Sequence, residues 1–232
     1  MFFFGIYFLL FFVVLYFHNK GKLNDYSKPK KYPNVSFLIP AYNEEGSLPL
    51  LLDDLCDFCQ ENNHKLIMVN DCSSDTTGEI LDQAAATKSF KVIHNKVNKG
   101  YGGAIKTAIS EVETEYLITI DADGQHSLED IGVLFEYLKA TDADMVVGKR
   151  ELHHGSTYRR IGKLMIRSVA KLLMSFEITD LNSGMKVYRS DLAKKDIHLC
   201  PDTMAYSDII TLVFINQKHL VLEKDIHIKS RI

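Results

Sequence analysis

A single α/β domain built on a mostly parallel sheet is the fold class this sequence predicts, on three observations. From Val35 onward, short apolar runs rich in β-branched residues alternate with amphipathic stretches, as in strand-helix units wound by right-handed crossovers. The runs are apolar throughout, which suits strands buried in a parallel sheet. Polar clusters close one run after another, and in open α/β sheets ligands sit just outside the strands' carboxyl ends.

The chain of 232 residues, 46% hydrophobic, can bury one good-sized core. A net charge of −3 supplies no global field for nucleic acid. Cys56, Cys59, Cys72 and Cys200 form no disulfide framework, and no second C-x-x-C completes a zinc site, so Cys56 and Cys59 read as ordinary helix residues in a reducing compartment.

Taken in order, Met1 to Phe17 carry no charge. At ~1.5 Å per residue this stretch reaches ~25 Å, enough for a thin bilayer core, and it lacks the basic start and small-residue cleavage site of a signal peptide. Residues 1–18 are therefore expected to be a transmembrane anchor and 19–33 a basic juxtamembrane linker. Lys20, Lys22, Lys28, Lys30 and Lys31 put the remainder, 34–232, on the cytosolic side by the positive-inside bias. Strands are predicted at 35–39, 65–69, 90–93, 117–120 and 145–147. Helices are predicted over 45–61, from 75, over 102–112 and up to about residue 140, the last opened by a capping box, Ser127-x-x-Asp130.

The fourth strand stops on Asp121-Ala122-Asp123-Gly124-Gln125. Two carboxylates on one face of an extended segment suit a diphosphate-bound divalent cation, or divide the work between that cation and a ribose; Gly124 permits a bend and Gln125 adds an oxygen ligand. Four more clusters close the other strands: Pro40 to Glu45, Asn70 to Asp75, Asn98 to Gly103, and Gly148-Lys149-Arg150. Tyr42 could stack on a flat base, with Glu44 and Asp71 accepting N–H groups from the base or hydroxyls from a ribose. The Gly-rich cluster is neither a dinucleotide fingerprint nor a P-loop, since its spacing is G-x-G-G and G-K-[ST] is absent.

Pro40-Ala41-Tyr42-Asn43-Glu44, Val69 to Asp75, Asn98-x-Gly100, Asp121-x-Asp123-x-Gln125-His126 and Asp180-x-x-Ser183-Gly184-x-Lys186, in that order, resemble a family 2 glycosyltransferase of GT-A fold, in particular the polyprenyl-phosphate glycosyltransferases similar to dolichol-phosphate mannose synthase. The likeness spans about residues 34 to 230. It implies that Pro40, Tyr42, Glu44 and Asp71 hold the nucleoside of a GDP- or UDP-linked sugar, Asp121 the ribose or metal, and Asp123 with Gln125 a Mg²⁺ or Mn²⁺. It also implies that Arg150, with basic residues of the next helix for which Lys163 and Arg167 are candidates, binds the acceptor phosphate, with Ser183 and Lys186 on that side. Asp180 and Asp208 fall where relatives place acceptor-side or base-like carboxylates. Asn70 stands where an acid is more usual, and relatives commonly continue past Ile232 through a further basic, Gly-rich loop.

Between Tyr158 and Phe176, Arg160, Lys163, Arg167 and Lys171 recur at three and four residues and form one basic stripe beside an apolar face, as a helix against an anionic membrane surface does. A lipid monophosphate, with a second pKa near ~6, is already a nucleophile at neutral pH and needs no dedicated base. The expected reaction is an inverting, metal-dependent transfer of a hexose to a polyprenyl phosphate at the cytosolic membrane face. The alternatives are a saccharide or lipid hydroxyl acceptor, with Asp208 as base, and a membrane-tethered binding protein without turnover.

Overall fold

The computed structural model describes residues 35–124, 127–150 and 178–227. In chain order the elements are β1 (Val35–Ala41), α1 (Leu48–Glu61), β2 (Lys65–Asn70), α2 (Thr77–Thr87), β3 (Lys91–His94), α3 (Gly100–Ser110), β4 (Tyr116–Thr119), α4 (Leu128–Thr141) and β5 (Met145–Arg150). Then come β6 (Lys186–Arg189), α5 (Ser190–Asp196) with a following 3-10 turn, α6 (Tyr206–Asn216) and β7 (Val221–Ile226). The expected anchor (1–18), the linker (19–33) and the basic stripe of 158–176 lie outside the described residues. Among the described residues, no helix is long and apolar enough to cross a membrane.

The seven described strands form one sheet in the order β3-β2-β1-β4-β6-β5-β7. Neighbours pair in parallel except at β6, which runs antiparallel to both β4 and β5. The carboxyl ends of β1 to β5 therefore share one edge, as the alternating pattern implies. The sequence reading of five strands missed β6 and β7. It also took Gly148-Lys149-Arg150 for a cluster beyond the fifth strand, whereas these residues are its last three and pair with Lys224, Asp225 and Ile226 of β7.

Side chains alternate across the pleat, and here both faces are covered. In β1, Leu38 packs into a core with α3 and α6, while Val35, Phe37, Ile39 and Ala41 pack into a second core with α1 and α4. Burial on both sides is why these strands read as unbroken apolar runs. Ser127 caps α4, its Oγ accepting from Glu129 N at 3.2 Å. Asp130, expected to complete the capping box, instead accepts from His227 N at 3.0 Å and ties α4 to the end of β7.

Helix α3 begins at Gly100, whose φ of 77° lies in the left-handed region. A Cβ on Gly102 would sit 2.3 Å from the Pro201 carbonyl oxygen and 2.8 Å from Tyr206 Cβ. Gly102→Ala is therefore expected to cost about 1–3 kcal/mol, because backbone must move to admit it. Gly132, inside α4, has nothing within 4 Å of its would-be Cβ. Gly132→Ala should instead stabilise by roughly 0.5–1 kcal/mol. Urea denaturation midpoints of the full chain check both signs.

Candidate active site

A cavity of about 350 Å³ opens at the carboxyl edge, lined by Pro40, Ala41, Tyr42 and Glu44 after β1, Asp71 after β2, Asn98, Gly100, Tyr101 and Ala104 around the start of α3, Asp121 to Asp123 after β4, and Met204 ahead of α6. Its first wall is two loops laced together. Asn43, at a φ of 54°, donates its N–H to Ser73 Oγ at 3.0 Å and accepts from Ser74 N at 2.9 Å. Glu44 N donates to Thr77 Oγ1 at 2.8 Å, and Glu45 Oε2 accepts from both Thr76 N and Thr76 Oγ1. The Ser and Asp residues after β2 thus fasten β1's loop as well as opening a helix. Tyr42 stays 49% exposed, with its ring available at the mouth.

Asp71 is buried; its Oδ1 accepts from Asn95 Nδ2 at 2.7 Å and from Lys99 N at 3.0 Å, which fixes the loop leading into α3. Asn70 does not line the cavity. Its amide pairs with His94 Nδ1 at 3.1 Å while its Oδ1 accepts from Ser73 N at 3.0 Å, two roles that a carboxylate could not combine. Asp121 accepts at Oδ1 from the Tyr101 hydroxyl at 3.0 Å, and on its other side a Cβ on Gly184 would lie 2.1 Å from Oδ2. Gly124, at a φ of 71°, makes the bend after Asp123.

Across β6 from the acids, Arg150 and Asp180 form a two-pronged pair: Nε donates to Oδ2 at 2.6 Å and Nη2 to Oδ1 at 2.9 Å. Arg150 Nη2 also donates to the Asn182 carbonyl at 3.0 Å, so guanidinium and the 180–184 segment are one unit. Burial works against the Asp180 charge, yet the hydrogen bonds and charge of Arg150 hold its carboxyl below the usual range. The pairing with Asp180 in turn raises the Arg150 pKa. Asp208, in the first turn of α6, is half-buried and adds negative potential at Arg150 and Lys186.

The glycosyl transferase family 2 profile matches residues 36–205. The chain belongs to that family. An undecaprenyl-phosphate 4-deoxy-4-formamido-L-arabinose transferase of Pectobacterium carotovorum is 30% identical over 185 residues, covering 78% of this chain and 56% of the relative. An undecaprenyl-phosphate mannosyltransferase of Micrococcus luteus is 32% identical over 166 residues, covering 68% and 67%. The chain thus spans little more than half the length of the first of these. Among solved structures, glucosyl-3-phosphoglycerate synthase from Mycobacterium tuberculosis, in complex with Mn²⁺, UDP-glucose and phosphoglyceric acid, superposes with a TM-score of 0.64 at 14% identity over 95% of this chain and 75% of that one. That likeness bears on the fold alone, a GT-A-like α/β architecture.

Within this family 2 domain the residues expected to act fall into four groups. Pro40, Tyr42, Glu44, Asp71, Asp121 and Asp123 come together around the cavity. Arg150, Asp180 and Asp208 gather across β6 from it. Gln125, Lys163 and Arg167 lie outside the described residues, as do His126, His153 and His154. Ser183 and Lys186 correct the expectation that they bind an acceptor phosphate. Ser183 is fully buried, and Lys186, 1% exposed, spends its ammonium on the carbonyls of Leu181 and Ser207 and on Ser207 Oγ. Sequence reading missed Tyr101, Asn98 and Met204 as lining; Tyr101 and Asn98 lay within a cluster singled out, whereas nothing in the sequence flagged Met204.

Among the described residues, no three His, Cys, Asp or Glu side chains gather into a ready cation cage. Two half-buried carboxylates on a cavity wall nevertheless fit Mg²⁺ or Mn²⁺, which one or two protein carboxylates and the substrate's own phosphates commonly hold.

Burial depresses the Lys186 ammonium from 10.5 to about 8, with Asp208 and Asp180 opposing. The unfolded chain keeps this proton to higher pH than the native state, so the cost of burying the charge is full below about 8 and is relieved as pH rises toward 10.5. The stability of the wild type relative to Lys186→Met should therefore increase between pH 7.5 and pH 10. Paired urea titrations across that range measure it; a flat or falling difference contradicts the placement of a buried ammonium.

Proposed function

We propose that this protein transfers a hexose from a nucleotide-diphosphate sugar to the phosphate of a polyprenyl phosphate, with inversion at the anomeric carbon. The observation that carries the reading is a carboxylate-walled cavity joined, through the 180–184 segment, to an arginine oriented by a bidentate acid. A donor diphosphate and an acceptor phosphate repel each other, and a site that unites them needs positive charge on two sides.

In this reading Tyr42 stacks on the base, and Asp71 and Glu44 accept from its N–H groups or from the ribose. Asp123 with Asp121 would hold Mg²⁺ or Mn²⁺, which supplies positive charge against the departing nucleoside diphosphate. Arg150 has Nη1 left over from its fork with Asp180, and this edge receives the acceptor phosphate. Asp180, ion-paired and held in its charged form, orders Arg150 rather than removing a proton. A phosphate dianion attacks without a base, so Asp208 is dispensable for this acceptor. The uncharged amino-terminal stretch and the lysines after it keep the domain at the cytosolic membrane face, where a polyprenyl phosphate is met.

The test is incubation of membranes containing the full chain with a panel of radiolabelled UDP- and GDP-sugars and polyprenyl phosphate. Label should enter the lipid fraction, disappear with EDTA and return with Mn²⁺ or Mg²⁺; metal-independent transfer, or none to lipid from any donor, defeats the proposal.

In the same assay Asp123→Asn should lower transfer by roughly 10²–10³ and Arg150→Lys by about tenfold or more, because an ammonium cannot reproduce the fork. Asp208→Asn should stay within about tenfold of the wild type, since a base contributes ~10²–10⁴ only where one is needed. The reverse pattern, Asp208 indispensable and Arg150 dispensable, identifies a hydroxyl acceptor.

A further inference from the structure

Tyr101 lines the donor cavity and has no part in the mechanism above. It is held unusually well for a residue on the first turn of a helix. Gly100 before it is in the left-handed region, and Gly102 after it abuts Pro201. Gly103 N donates to the Asp202 carbonyl at 3.1 Å, and Lys106 Nζ bonds Asp202 Oδ1 at 2.6 Å, so the start of α3 is clamped to the segment ahead of α6. The Tyr101 ring packs against the core formed with α6. A phenolic hydroxyl carries its proton at neutral pH, so toward a carboxylate it is the donor. The hydroxyl meets Asp121 Oδ1 at 3.0 Å, while Gly184 closes on the carboxylate from the other side.

We infer that Tyr101 is a positioning residue for donor binding: its hydroxyl fixes the orientation of the Asp121 carboxylate and offsets part of its charge where that carboxylate meets the cation or ribose of the nucleotide. The inference rests on the donor-site reading given above. Two acids two residues apart repel each other, and a cation recruits both only if each is held against that repulsion. A neutral O–H aimed at one of them does this without competing for the cation. A tyrosine has few rotatable bonds, and packing has already fixed this one, so ordering it on binding costs little.

The experiment is calorimetric titration of the full chain with UDP and with GDP, each with Mn²⁺, for the wild type, Tyr101→Phe, Asp121→Asn and the double variant, alongside their thermal midpoints. Tyr101→Phe keeps the ring and should weaken nucleotide binding by about tenfold, the scale of a hydrogen bond to a charged group. In the Asp121→Asn background the same change should cost less than twofold, because the group it acts through is gone. The thermal midpoint alone would report a merely structural role; the coupling to Asp121 would not arise from one. Wild-type affinity in Tyr101→Phe, or an equal loss in both backgrounds, overturns the inference and leaves the donor site standing. A wild type that binds neither nucleotide with Mn²⁺ overturns both.

Discussion

The site depends on one buried ammonium. Lys186 opens β6, the strand wedged between β4 and β5, and its Nζ is surrounded by the carbonyls of Leu181 and Ser207 and by the Ser207 hydroxyl. A lysine shut away from water is tolerable only when its donors are satisfied, so the chain around it has little freedom. The 181 carbonyl belongs to the segment that grips Arg150 and packs on Asp121, and Ser207 belongs to the first turn of α6, next to Asp208. Ser207 Oγ adds a bond to the Ser183 carbonyl at 2.6 Å, and Glu223 of β7 takes the N–H groups of Thr179 and Asp180, each at 2.6 Å. The acids after β4, the guanidinium and Asp208 are thereby referred to a single internal point.

The cavity wall after β1 and β2 is built on a different device. Its loops borrow side chains from each other instead of leaning on one centre: Asn43 and Glu45 reach toward the loop after β2, and Ser73, Asp75 and Thr77 reach back. Of these side chains Thr77 alone is buried; Asn43 and Glu45 are exposed and Ser73 and Asp75 half-buried, so the loops stay partly open, which suits a wall that admits a large polar ligand. The half around Arg150 and Lys186 is drier, and its key pair is ionic. It meets the cavity at Gly184, where the lack of a side chain lets its backbone lie directly on the Asp121 carboxylate.

Much of this was legible in the sequence. β1, β2, β4 and β5 are buried on both faces over most of their length, so their apolar runs stand out and the polar residues at their ends mark the edge; β3 is only half-buried and offers just Val92 and Ile93 as its apolar signal. β6 was hidden because Lys-Val-Tyr-Arg shows too little apolar character in four residues, and its lysine points inward against every compositional expectation. β7 was hidden in the same way: Glu223, Lys224 and Asp225 give it the charged texture common on a sheet's outer strand. The same blindness misplaced Lys186 and Ser183 at the acceptor, since a motif states residue types and not which way they face. Asn70 looked like a lost acid, and the fold explains it as an amide that must donate to His94 and accept from Ser73 at once.

The wedged strand also bears on biosynthesis. β4 finds its second neighbour only in residues 186–189, some seventy positions further along the chain. Until that segment leaves the ribosome, the nascent protein carries a half-built sheet whose flank, Tyr116 to Thr119, is fully buried in the finished molecule and lacks its partner. Such late closure is a recognised source of slow folding and of edge-to-edge association between unfinished copies, so chaperone demand during translation should concentrate on this interval.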